Sequence, residues 1–346
     1  MPGLLIKLRP NGPWRISPAS GPGGPPSAVF SSDALFSALT IAIGQLGSMD
    51  QWLAANVHAA EPSVRLTSCF PFTGDTLLIT PPRSLWPLPP SPRVRWKAAR
   101  FVPAQAVQYL LNGERLRDED WAVDVESESL LRIHRGQLPR GPFRVVTRTS
   151  LAVDRWSGTG SEPRSAQCLE FSPDAGLWCM AVFSSSAAAR QWSPVLKAAF
   201  RLLADTGAGA MRSRGWGRAE QPEFRNGEFP NLLIHPPSLL PQATDGAEVT
   251  ETAVPETAYW LISMYSPGAA DQVDWSRGSY SVVDRGGRME GGARKLVSKM
   301  ITEGSVLLSE TPLRGNAADV APAGSAHSVY RSGLAVAIPI PWRVAA

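Results

Sequence analysis

Lysine is scarce in this chain. Of its 34 basic residues five are lysine (Lys7, Lys97, Lys197, Lys295 and Lys299), so 29 are arginine. Arginine's planar fork suits bidentate contacts to phosphate and stacking on bases, which a lysine-rich chain would not favour. A GC-rich genome produces the same bias. Cysteine is rarer still. Cys69, Cys168 and Cys179 are odd in number and form no C-x-x-C pair, which excludes a disulfide framework and a zinc site and points to a reducing compartment. No apolar run approaches the roughly 18 residues that span a bilayer. The opening MPGLLIKLRP lacks a charged leader region followed by an apolar stretch, so a cytoplasmic protein with no membrane partner is expected. No G-K-[ST] occurs, which excludes a P-loop.

What is present is a globular composition. The chain has 346 residues, 43% of them hydrophobic, and a net charge of +4. That length allows about two domains of ordinary size. The 30 glycines and 32 prolines exceed average usage without reaching low complexity. Residues 4–10 read as an opening strand, followed by a glycine- and proline-rich loop at 11–27. A helix is predicted next, with Ser32 as N-cap, Asp33 at the positive end of the helix dipole, and Leu35, Leu39, Ile43 and Leu46 at helical spacing up to Gly47. Residues 81–96 are broken by proline. FRVVTRTSLAVDRW and GLWCMAVFSS read as strands flanking a polar stretch, SGTGSEPRSAQ, which suits a protruding hairpin. A second helix is predicted from Pro194 to Asp205, with Val195, Leu196, Ala199, Phe200, Leu202 and Leu203 on its apolar face.

The polar, proline-rich stretch that follows divides the chain into a domain over 1–228, a linker over 229–256 and a second domain over 257–346. Strand candidates in the second domain are YWLISMYS, YSVVDRGG, GSVLLSE and VYRSGLAVAIPI, with a short helix around ARKLVSKMI. This order of elements favours an α+β class, each domain a small sheet with helices on one face.

The most unusual stretch is TGAGAMRSRGWGRA, residues 206–219, with four glycines, three arginines, one tryptophan and no acid. A dinucleotide fingerprint would run from strand into helix. Here the glycines follow a helix, and Arg212 stands where the third glycine would fall. What remains is a loop whose exposed amides and arginines could receive phosphates of a polymeric anion, with Trp216 available to stack on a base. The alternative is that Gly207 only caps the helix and Trp216 packs into the core.

The segments SSDALFSAL, KAARFVP, TRTSLAVDR, TGAGAMRSRGWG, SMYSP, YSVVDRGGRMEG, ITEGSVL and VYRSGLAVAIPI occur in an order that resembles the RAMP superfamily of CRISPR proteins, and within it subunit four of the type III-A Csm effector. The resemblance spans nearly the whole chain. It implies two ferredoxin-like (RRM-like) domains with a protruding thumb hairpin in the first. It also implies a non-catalytic subunit that binds the 5′ repeat-derived handle of crRNA and the paired target RNA, beside the large polymerase-type subunit and an adjacent backbone RAMP subunit, with no cofactor and no metal. Residue by residue, Gly207, Gly209, Arg212, Arg214, Gly215, Trp216, Gly217 and Arg218 match the glycine-rich loop. Arg148, Asp154 and Arg155 match the segment leading into the thumb, placed within 148–170. Arg285, Gly286, Gly287 and Arg288 match an arginine-glycine turn implied to touch the handle or a neighbouring subunit. Ala208, Ala210 and Met211 depart from the pattern. Asp154 and Arg155 could equally pair with each other at a turn, and Asp284 with Arg285.

Two rival functions follow from the same residues. A RAMP endoribonuclease that processes precursor crRNA would need a histidine base near the basic loop. Of His58, His134, His235 and His327, only His58 lies roughly where such a base is expected, and the sequence gives it no evident tyrosine or lysine companion. The type III-B counterpart of the handle-binding subunit, or a purely structural scaffold, are the other readings.

Overall fold

The opening strand β1, Pro2–Leu8, buries Leu4, Leu5, Ile6 and Leu8. An uninterrupted apolar run of this kind belongs in the middle of a sheet, not at its edge. The fold is that of a computed structural model, which describes residues 1–16, 24–137, 139–160, 163–236, 257–289 and 292–342. After β1 come helices α1, Ser32–Gln45, and α2, Met49–Asn56. Strands β2, Val64–Leu66, β3, Phe70–Thr73, β4, Thr76–Ile79, and β5, Val102–Pro103, follow, then α3, Ala104–Leu111. Two hairpins come next, β6, Trp121–Asp124, with β7, Ser129–Arg132, and β8, Phe143–Ser150, with β9, Arg164–Phe171. Strand β10, Ala175–Phe183, is buried at every position and leads into α4, Ser186–Thr206, and β11, Glu223–Glu228.

The main sheet runs β11-β1-β10-β3-β4-β5, with β2 also paired to β10, and its neighbours are antiparallel. Helices α1 and α4 lie against each other and against strands of this sheet. In α4, Ala188, Trp192, Leu196, Ala199, Phe200 and Leu203 form the buried stripe that a 3.6-residue period requires.

The remaining strands are β12, Thr257–Leu261, β13, Val273–Ser279, β14, Val282–Arg285, β15, Ser298–Ile301, β16, Val306–Ser309, β17, Ala317–Asp319, β18, Tyr330–Ser332, and β19, Ala337–Pro341. They form a four-stranded sheet, β13-β16-β12-β19, and two small ladders, β14-β15 and β17-β18. Strand β12 alternates: Ala258 and Trp260 join the apolar core of the first sheet, while Tyr259 and Leu261 face a smaller cluster with Tyr265, Leu307 and Leu313. The two sheets therefore share one continuous core. Polar contacts cross the same boundary: Ser68 N–H donates to Ile262 O, Trp260 Nε1–H to Thr80 O, and Met264 N–H to Ser32 Oγ.

Four expectations change. Helix α4 starts at Ser186, eight residues before Pro194, because Ser185 Oγ accepts Ala188 N–H at 3.1 Å and the run AAARQ carries the helix forward; Pro194 sits inside it. The N-cap of α1 is Ser31, and the Ser32 hydroxyl is used by the second sheet instead. The segment around ARKLVSKMI is not helical at its end: residues 298–301 form β15, whose ladder with β14 takes up the backbone donors a helix would have used. The second sheet has no helix of its own among the described residues; the first part of the chain covers its face. The start of the expected linker is packed, with Phe229 and Ile234 buried, while 237–256 lie outside the described residues. No helix among the described residues is long and apolar enough to cross a membrane.

Candidate nucleic-acid interface

The glycine-rich loop begins where α4 ends, with Gly207 at φ +86° and its N–H on Leu203 O. A short 3-10 turn, Arg212–Arg214, follows between Met211 and Gly215, both left-handed. The loop spends its backbone inside the protein. Ala208 N–H donates to Gly217 O, Ala210 N–H to Arg15 O, Gly215 N–H to Arg212 O and Gly217 N–H to Pro13 O. At Gly209, φ +84°, a Cβ would come within 2.6 Å of Arg15 O. The glycines thus serve close packing of the loop on itself and on residues 13–16. What the loop turns outward is charge: Arg212, Arg214 and Arg218 are exposed, while Trp216 is half-buried.

Residues 13–16, within the glycine- and proline-rich stretch after β1, are a strut rather than free loop. Trp14 is buried; its Nε1–H donates to Arg218 O, and its backbone pairs with Leu169 of β9. Arg15 holds the Gln167 carbonyl at 2.5 Å. The glycine loop is thereby tied to the hairpin β8-β9, which occupies the expected thumb position. A second tie is Arg214 Nη1–H to Ser150 Oγ at 2.8 Å, at the end of β8. Along the hairpin, Glu170 takes Arg148 at 2.6 Å and Arg144 at 3.0 Å, and these two guanidinium groups hold its carboxyl below the usual carboxylate range.

At the hairpin tip Asp154 makes no pair with Arg155. It accepts Trp156 N–H at 3.0 Å and Ser157 Oγ–H at 2.8 Å, and these bonds depress its pKa. Asp154 thus shapes the tip, and Arg155 is exposed. The constrained turn presents Trp156 with 97% of its surface in solvent. An indole so exposed on a braced turn packs against nothing among the described residues. Its only sequence signal is an aromatic residue in the middle of a polar stretch.

A cleft of about 250 Å³ lies beside this loop, between it, α1 and the two small ladders. Gly207, Ala208, Gly209 and Arg212 form one wall, Arg285, Gly286 and Lys295 the other, with Asp33, Tyr330 and Arg331 also lining it. Sequence reasoning selected the loop and the arginine-glycine turn separately; the fold brings them together. It also shows that Arg285 is not an open cation. Its guanidinium binds Asp33 through Nε at 3.0 Å and Nη2 at 2.9 Å, so Asp284 is not its partner. Arg288 donates to Gly292 O at 2.9 Å and is exposed. Asp33, Lys295, Tyr330 and Arg331 were missed as site residues. All four lay within segments quoted for other reasons, and nothing local marks an acid that meets its partners about 250 or more residues away.

His58 has a companion after all. The Tyr330 ring meets it edge-on at 5.4 Å between centroids, a contact the sequence could not show.

Residues 255–340 match the family model of the CRISPR Csm4 C-terminal domain. By sequence, no curated protein matches the chain. Among solved structures, the chain shares its fold with one from a Csm3-Csm4 subcomplex of the type III-A CRISPR-Cas interference complex, with a TM-score of 0.60 and 16% identity over 99% of this chain and 100% of that one. It shares it also with one from a Csm1-Csm4 cassette in complex with cA4, with a TM-score of 0.57 and 16% identity over the full length of both. The comparisons thus give a CRISPR Csm4 C-terminal domain match over residues 255–340 and, along the whole length, a fold shared with chains of Csm3-Csm4 and Csm1-Csm4 complexes.

Proposed function

We propose that this chain is a non-catalytic subunit of a type III-A CRISPR effector that grips the 5′ handle of crRNA and assembles with a large Csm1-like subunit and a Csm3-like backbone subunit. The observation that carries this reading is convergence. The arginine-bearing glycine loop and the arginine-glycine turn wall one cleft, and the Arg214–Ser150 bond ties the same loop to the hairpin. Single-stranded RNA is held by cations along its backbone and by flat groups on which bases stack. Arg212 and Arg218 supply the first, with no hydrogen bond or ion pair to occupy them among the described residues, and Trp156 supplies the second at the hairpin tip, where guide and target would be separated. The strand order β11-β1-β10-β3, with α1 after β1 and α4 before β11, is the βαββαβ order of a ferredoxin-like domain, and supports a RAMP architecture for the first part.

The test is co-purification of the chain with its neighbouring subunits and crosslinking of the bound RNA. Crosslinks at 206–218 and at Trp156 are expected; crosslinks confined to protein neighbours would leave a scaffold. A second reading, an endoribonuclease, is favoured only by the His58–Tyr330 contact. Cleavage of repeat RNA by the isolated chain, abolished in His58→Ala, would establish it in place of the first.

A further inference from the structure

Asp33 lies in the first turn of α1 with only 6% of its side chain exposed, yet both guanidinium groups that reach it come from the small ladders near the other end of the chain, Arg285 from β14 and Arg331 from β18. Arg285 binds it in the bidentate fashion given above and extends Nη2–H to Ser31 Oγ at 2.7 Å. Arg331 Nε lies 3.9 Å from the same carboxylate. The rest of Arg331 is turned onto the backbone of the arginine-glycine turn, donating to the Arg285 carbonyl, to Gly286 O at 2.9 Å and to Ser298 Oγ at 3.0 Å. Two arginines beside a helix N-terminus would attract an anion from solution. Asp33 occupies that position from within the chain, so Arg285 and Arg331 are committed to structure.

The consequence falls on the cleft. Its two remaining cations are Arg212, from the glycine loop, and Lys295, whose backbone N–H is tied to Gly287 O at 3.0 Å and so moves with the same turn. Neither makes a side-chain hydrogen bond or ion pair among the described residues. Burial, and then the neighbouring Arg331, push the Lys295 ammonium pKa down, so an arriving anion would relieve an unfavourable charge there.

Building on the RNA-binding reading above, we propose that Asp33 is a positioning residue: by clamping Arg285 and Arg331 it fixes the arginine-glycine turn so that Lys295, from the β14-β15 connection, and Arg212, from the glycine loop, take the same backbone phosphate of bound RNA. Residues that share one phosphate are energetically coupled; residues on separate phosphates act independently.

The test is a double-mutant cycle of Arg212→Gln and Lys295→Gln in the full chain, titrated with a single-stranded RNA of about ten nucleotides over a range of salt. Each single variant is expected to lose roughly tenfold in affinity, with the double variant losing clearly less than the product of the two and about 0.7 in total from the slope of log K against log salt, the share of one phosphate. Lys295→Arg should restore most of the affinity. In an Asp33→Asn background the coupling should disappear, although every cation of the cleft is retained. Should that variant fail to fold, the cycle in the wild-type background still decides. Independent effects of the two substitutions would overturn the shared phosphate and leave RNA binding standing, whereas a wild-type chain that does not bind RNA would overturn both. A thermal shift with inorganic phosphate that Lys295→Gln abolishes, together with RNA binding that it does not alter, would assign the cleft to a free anion instead.

Discussion

Gly217 decides between two uses of glycine. If the loop is open so that phosphate can approach bare backbone, a small side chain at 217 should weaken RNA binding and leave the fold alone. The structure says otherwise. Gly217 sits at φ +80°, its N–H donates to Pro13 O at 3.0 Å, its carbonyl accepts Ala208 N–H at 2.9 Å, and a Cβ there would overlap the Ala208 carbonyl. Placing alanine in the left-handed region costs about 1–2 kcal/mol, and each hydrogen bond lost as the loop shifts adds about 1 kcal/mol. Gly217→Ala should therefore destabilise the protein by about 2–4 kcal/mol. Urea denaturation measures that loss, and RNA titration at several salt concentrations measures the rest. No charge changes, so the salt slope should stay at its wild-type value in whatever fraction remains folded. Wild-type stability combined with weakened binding would refute the packing account and restore close phosphate approach as the reason for the glycine.

Arg212→Ala with Arg218→Ala should lower the salt slope of RNA binding by about 1.4, at about 0.7 per phosphate contact, with little change in melting temperature; an unchanged slope would place both outside the phosphate path. Trp156→Ala should weaken binding by about 1–3 kcal/mol if the indole stacks on a base, again with no loss of stability, because the ring is almost wholly exposed; identical binding would remove it from the interface. Burial pushes the Glu303 carboxyl above its ordinary value beside Ser68 at the boundary between the sheets. A carboxyl raised in the folded state contributes stability below its unfolded pKa and loses it as pH rises through the folded value. Melting temperature should therefore fall across that interval in the wild type and stay flatter in Glu303→Gln, and matching pH profiles would show that the carboxyl is solvated.

Strands β1 and β10 of the first sheet and the place of the hairpin were legible in the sequence because their signals are local, whereas β2 to β5 were not read and β9, which pairs with β8, begins inside the stretch read as polar. Strand β10 is an apolar run, the tip of the hairpin is polar between two strands, and glycines mark the end of α4. Local signals also misled. Proline at a first helical turn is a sound rule, yet the eight residues before Pro194 are good helix formers with a serine cap of their own, and a longer helix with one bond missing outweighed a shorter intact one. Strand β15 was missed because its helical appearance depended on spacing over a few residues, while its actual pairing partner, β14, decides its state from outside the window.

The site divides along the same line. The glycine loop and the arginine-glycine turn were each visible, but their meeting depends on Asp33, which sequence reasoning assigned to a helix dipole. That assignment was correct as far as it went, since an acid in the first turn of α1 does meet the positive end of the helix. The same carboxylate also neutralises arginines from the far end of the chain, and only the fold supplies that second role. Counting arginines therefore overstates the charge offered to a ligand. Arg285 and Arg331 are committed to Asp33, Arg148 and Arg144 are held by Glu170, and the backbone amides of the glycine loop are largely spent inside the protein. On the proposed RNA-binding reading, what remains is a few side chains at fixed places: Arg212 and Lys295 in the cleft, Arg218 on the loop, and Arg155 beside Trp156 at the tip. Discrimination by so few cations rests on where they stand relative to one another, so a substitution that disturbs the Asp33 clamp should matter more for which RNA is held than for how much charge is met.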